Sequence, residues 1–150
     1  MEYLVFEDKP KYDLVLKLIV GGVLALTFVL GIILIFADMT GAIAIFLITL
    51  FDAVLFWVIV PRNYRILQDR IKIVLGGPFA MNLPFSTIDK VQASAGSKAF
   101  FYTGLRMAPS SSTVVEIVRS KGINIVISPQ NRGLFLEQAN RALQAWRAQY

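Results

Sequence analysis

The chain has 150 residues with no cysteine and no histidine, and 15 Lys/Arg against 10 Asp/Glu leave a net charge of +5. Those two absences exclude disulfides, thiolate and imidazole metal sites, cysteine nucleophiles and serine triads built on a histidine base. Hydrophobic residues make up 56% and mean hydropathy is +0.62; the excess lies between Leu14 and Val60, which excludes a single soluble domain throughout.

The first thirteen residues carry four acids and two lysines, a net of −2, and read as a cytoplasmic N-terminal arm, 1–13. Residues 14–60 read as a transmembrane helical hairpin. From Leu18 to Ala37 twenty consecutive residues carry no charge, and at about 1.5 Å per residue they cross the ~30 Å hydrocarbon core. The run 42–60 has nineteen residues and one charge, Asp52. Only Asp38, Met39, Thr40 and Gly41 separate the runs, so the two helices are expected to be antiparallel. A cleaved signal peptide fits poorly, because its apolar region spans about 7–15 residues behind a basic segment. Here the run is longer, the leading arm is acidic and a second span follows.

Orientation follows from Lys and Arg. The loop between the spans has none; Lys9, Lys11 and Lys17 precede the first span, and Arg62, Arg65, Arg70 and Lys72 follow the second. The expectation is a multi-pass protein of the cell membrane with both termini cytoplasmic. Trp57 and Tyr64 are expected to anchor the inner boundary, with Lys17 reaching to it from its helix end.

Asp52 is the costly residue of the spans, at about 3 kcal/mol for a carboxylate at mid-depth. Folding the hairpin about its loop puts Thr27 at nearly the same depth, so one reading is a hydrogen bond from Asp52 to Thr27 or to a neighbouring subunit. The other is a proton or ion relay, for which a lone acid is a poor start. Gly21, Ala25 and Gly31 on the first helix, with Ala53 beside Asp52 on the second, are expected to allow close helix packing.

Residues 61–150 carry twelve Lys/Arg and four Asp/Glu, a net of +8. Period-2 alternation predicts strands at 62–67 and 70–75 around Gln68-Asp69, then 79–83 after Gly76-Gly77-Pro78, then 88–95 and 100–107. A last hairpin, 113–119 and 123–128, turns at Ser120-Lys121-Gly122. The period then becomes helical to Gln149. Ser128 is the expected N-cap and Pro129 the first helical residue. Phe135, Leu136, Ala139, Ala142, Leu143 and Trp146 form an apolar stripe that closes a small barrel.

Tyr64-Arg65-Ile66-Leu67, Asp69-Arg70-Ile71, Gly77-Pro78-Phe79, Leu83-Pro84-Phe85 with Ile88 and Val91, and Ile127-Ser128-Pro129 with Phe135-Leu136 follow one another in order. Over roughly 62–148 this chain resembles the bacterial PH-like domain family, in its form with an N-terminal membrane hairpin. The resemblance implies a membrane α-helical hairpin followed by an α+β PH-like domain, 61–150: a seven-stranded antiparallel barrel closed by a C-terminal helix. It also implies a membrane-tethered binding or scaffold module rather than an enzyme. The loop that holds phosphoinositides in PH domains is here only Gln68-Asp69, so no lipid-headgroup pocket is carried over.

The expected function is therefore a non-enzymatic scaffold or accessory subunit of a membrane complex. Its partners are other membrane subunits or copies of itself, bound through the helices and the cytoplasmic domain. An alternative is non-specific attachment to inner-leaflet anionic lipid through Arg62, Arg65, Arg70 and Lys72, each contributing about 1 kcal/mol near the surface. An oligomeric transport bundle lined by Asp52 is a further alternative. No catalytic residue, metal or cofactor is expected: Ser110-Ser111-Ser112 has no base to activate it, and Asp69, Asp89, Glu116 and Glu137 lack metal-ligand spacing. The basic residues are dispersed and carry no nucleic-acid motif, so no nucleic acid is expected. The acidic arm, at the same membrane face as the basic domain, is expected to dock on it.

Overall fold

The computed structural model describes residues 3–99 and 102–149. The chain divides into two compact units: Leu14–Ile59, and the N-terminal arm together with everything from Val60 on.

The first unit is a pair of helices, α1 (Leu14–Ile35) and α2 (Met39–Ile59). At 22 and 21 residues they are about 31–33 Å long, and both are long and apolar enough to cross a membrane. Helix α1 starts four residues earlier than its uncharged run and takes in Lys17. The Asp38 carboxylate accepts the Thr40 N–H at 3.0 Å and caps α2. Most residues of both helices are exposed and the rest half-buried; Gly31 and Ala42 are the buried residues. At Gly31 the backbone passes so close to α2 that a Cβ would lie 2.8 Å from the Phe46 ring. Phe46 in turn meets Phe28 edge-on at 5.6 Å.

The second unit is built from two four-stranded sheets and one helix. The first sheet has the order β1 (Leu4–Asp8), β2 (Asn63–Leu67), β3 (Arg70–Val74), β4 (Ala80–Pro84), all antiparallel. Gln68-Asp69 joins β2 to β3 as the sequence predicts. The turn from β3 to β4 passes through Gly77, whose φ of 64° is a conformation that favours glycine. A short 3-10 turn, Phe85–Thr87, leads into the second sheet. Its order is β5 (Ile88–Ala93), β7 (Val115–Arg119), β8 (Ile125–Ile127), β6 (Leu105–Met107), with β6 parallel to β8.

These sheets are not one closed seven-stranded barrel. The arm supplies β1, an eighth strand that pairs with β2 from Leu4↔Leu67 to Asp8↔Tyr64, so the acidic arm does dock on the domain. The strand expected at 100–107 is shorter, Leu105–Met107, and Phe100 and Phe101 lie outside the described residues.

Helix α3 (Arg132–Gln149) packs against β5, β1 and β2. Its buried residues Phe135, Ala139, Ala142 and Leu143 follow the helical period of the sequence. They join Tyr64, Ile66, Ile71, Ile73, Leu83, Val115, Ile117, Ile125 and Ile127 in one core. Trp146 extends it to the buried Phe85, with ring centroids 6.4 Å apart. The alternation of β2 and β3 explains this packing. Tyr64, Ile66, Ile71 and Ile73 point inward, while Arg65 and Lys72 face outward opposite one another.

Two expectations fail at the ends of elements. Tyr64 is not an interfacial anchor: the inward parity of β2 buries it completely, and its hydroxyl donates to the Met107 carbonyl at 2.7 Å. Ser128 does not cap α3. It lies in extended chain, where its Oγ accepts the Ser110 N–H, and the first helical bond runs from the Phe135 N–H to the Asn131 carbonyl.

Candidate functional site

In the helical unit, Thr27 donates its hydroxyl to the Val23 and Leu24 carbonyls of its own helix, at 3.0 and 3.1 Å. Back-bonding of this kind is the local alternative always available to a helical Thr. Among the described residues no hydrogen bond joins Thr27 to Asp52, and the Asp52 carboxylate has no partner within the hairpin. Gly31 is used inside the pair, against Phe46, whereas Gly21 has nothing within 4 Å of a built Cβ and Ala25 is exposed. Ala53 is half-buried beside Asp52. The small residues therefore divide between packing within the hairpin and a bare face of α1.

The four basic residues after α2 do not form one patch. Arg62 is exposed next to Pro61, where the chain enters the second unit. Arg65 and Lys72 are cross-strand neighbours midway along the sheet, and Arg65 Nε lies 3.2 Å from the Glu7 carboxylate of β1. Arg70 is at the far end of β3, paired with Asp69 at 2.7 Å. That pairing, first through the Arg70 hydrogen bond, holds the Asp69 carboxyl below its usual range.

The densest polar cluster was invisible to sequence spacing, because it joins the arm to loops about a hundred residues away. Asp13, the last residue before α1, accepts the Ser110 hydroxyl at 2.6 Å on Oδ1. On Oδ2 it accepts the Ser111 N–H at 2.7 Å and the Ser111 hydroxyl at 3.0 Å. The Ser110 hydrogen bond, followed by the Ser111 N–H, holds the Asp13 carboxyl below the ordinary carboxylate range. Backbone bonds run from the Lys11 N–H to the Ser128 carbonyl and from the Gln130 N–H to the Lys9 carbonyl, both 2.8 Å. Tyr12 donates its hydroxyl to the Pro61 carbonyl, and burial pushes its pKa up. Asp13, just before α1, is thus held by the 110–111 loop, and Pro61, just after α2, by Tyr12 of the arm. The Leu4-Val5-Phe6 run of the arm, with its β-forming residues, was the one signal that could have announced β1.

On the outer side of the second sheet, the buried Glu116 accepts hydrogen bonds from Gln92 at 2.9 Å and Tyr102 at 2.8 Å. Burial first, and Glu116 second, push the Tyr102 phenol up to about 12. Beside it a shallow pocket of about 420 Å³ is lined by Tyr102, Arg119, Asn124 and the 122–124 turn. It presents a neutral phenol, an amide and one guanidinium, whose NH2 group also donates to Thr87 at 3.3 Å. Among the described residues no three acidic side chains gather into a metal-binding group.

Compared with protein-family models, with curated proteins and with solved structures, the chain finds no match in any of the three.

Proposed function

We propose that this chain is a non-enzymatic, membrane-anchored scaffold or accessory subunit. In this reading α1 and α2 cross the cell membrane with both termini cytoplasmic. They pack against helices of another subunit or a second copy, and the PH-like domain presents a binding surface on the cytoplasmic side. The carrying observation is that Asp52 has no hydrogen-bonding partner in the hairpin, because Thr27 bonds to its own helix. A polar side chain in a span is stabilised by a partner helix. The bare small-residue face at Gly21 and Ala25 supports the same reading. Two sheets followed by a C-terminal helix packed on β5, β1 and β2 are in keeping with the PH-like reading at the level of strand-and-helix order.

Attachment through a basic surface is the weaker reading, since Arg65 and Arg70 are paired with Glu7 and Asp69. An Asp52-lined transport bundle needs many copies, as two helices cannot enclose a pore.

The test is the native mass of the full-length protein, extracted gently from its own membranes, with every co-purifying chain identified. Stoichiometric foreign subunits or a defined homo-oligomer support the proposal. A monomer that retains no partner in mild detergent overturns it.

A further inference from the structure

We propose that the β3–β4 turn, Gly77-Pro78-Phe79, is a lipid-contacting wedge seated in the interfacial region of the bilayer. The proposal rests on the reading above that α1 and α2 span a membrane.

The strand register carries the argument. Pro61 comes two residues after the end of α2 at Ile59, so a bilayer crossed by α2 ends near Pro61. From there Arg62 donates its N–H to the Val74 carbonyl at 2.7 Å, and Leu75 donates to the Phe79 carbonyl at 3.0 Å. With Asn63 opposite Val74 and Val74 opposite Ala80, Arg62, Leu75 and Phe79 form one row across β2, β3 and β4. Adjacent strands are about 4.8 Å apart, which puts Phe79 roughly 10 Å to the side of Arg62 at the same end of the sheet. The β2–β3 turn, Gln68-Asp69, is at the opposite end, about 20 Å away by strand rise.

The side chains at this tip are apolar where a solvated turn would be polar. Phe79 shares the parity of Met81 and Leu83, which face the core, yet it lies beyond the core's end and is 53% exposed. Pro78 beside it is also exposed, and the Gly77 turn projects both. An exposed aromatic on a rigid turn suits the interface between headgroups and acyl chains, with Arg62 in the same row to meet lipid phosphates.

The chain has no cysteine, so single-cysteine variants of the full-length protein can be spin-labelled uniquely. Phe79→Cys, Pro78→Cys, Gln68→Cys and Leu47→Cys are reconstituted in phosphatidylcholine–phosphatidylglycerol vesicles, and collisions with oxygen and with a water-soluble nickel chelate are measured. Labels at 78 and 79 are expected to collide with oxygen several-fold more, and with the chelate several-fold less, than the label at 68. Chelate access at 78 and 79 equal to that at 68 overturns the wedge. Protection from both reagents overturns it too, because the tip is then covered by protein. The label at 47, midway along α2, separates the two levels: if it is chelate-accessible, the spanning reading itself falls, whereas a lipid-buried 47 with a wet 79 removes the wedge alone.

Discussion

The carboxylate of Asp8 accepts the backbone N–H of Asn131 at 2.8 Å across 123 positions of chain. Asn131 supplies the carbonyl of the first helical bond of α3, so a strand of the N-terminal arm neutralises an orphan donor at a helix start. Asp8 also accepts the Lys9 N–H at 2.8 Å. Replacing a capping acid costs about 1–2 kcal/mol. Asp8→Ala is therefore expected to lower domain stability by that amount, with Asp8→Asn losing less. Denaturant unfolding of the purified full-length protein, followed by the fluorescence of Trp146 in α3 with Trp57 replaced, measures it. Identical midpoints for Asp8→Ala and the parent would show that the contact adds nothing.

Asp13 makes acid stability a specific prediction. Its folded carboxyl titrates below the ordinary value, so its contribution is full above about pH 4, the unfolded pKa. It is lost as pH falls through the folded value. Asp13→Asn is expected to be less stable than the parent at neutral pH by about 1 kcal/mol, from weakened bonds to Ser110 and Ser111. The two unfolding curves should converge below pH 4. A gap that stays constant down to pH 2 would assign the loss to something other than ionisation.

Asp52→Leu removes the polar group that the hairpin leaves unpartnered, while Asp52→Asn keeps hydrogen-bonding capacity. Native mass after mild extraction is expected to fall to the monomer for the Leu variant and to hold for the Asn variant. Retained assembly in Asp52→Leu would remove Asp52 from the interface; loss in both would favour a role for the charge itself.

The glycines of α1 separate packing inside the hairpin from packing outside it. Gly31→Leu forces side-chain volume into Phe46 and is expected to cost about 1–3 kcal/mol of hairpin stability. At Gly21 a Cβ meets nothing within 4 Å among the described residues, so Gly21→Leu should leave hairpin stability unchanged but reduce association. Thermal unfolding and native mass, measured on both variants, distinguish the effects. Equal behaviour of the two would mean that the faces are not distinct.

Much of this architecture is local and therefore legible in the sequence. Two apolar runs joined by four residues, the second broken only by Asp52, specify a pair of long apolar helices, because helix length and apolarity are properties of consecutive residues. Alternation in Tyr64–Ile66 and Ile71–Ile73 marks inward and outward faces, and the stripe from Phe135 to Trp146 marks the buried face of α3. What only tertiary structure decided are relationships between segments far apart in the chain. The arm became β1 because an acidic, half-apolar strand could pair with the edge of β2, and no local period announces an edge partner. Asp8 took the capping role expected of Ser128, since Ser128 was drawn into extended pairing with the arm. Asp13 met Ser110 and Ser111, and Thr27 turned to its own helix rather than to Asp52. Periodicity decides which side of an element is apolar; which polar groups satisfy one another depends on where the folded chain brings their ends together.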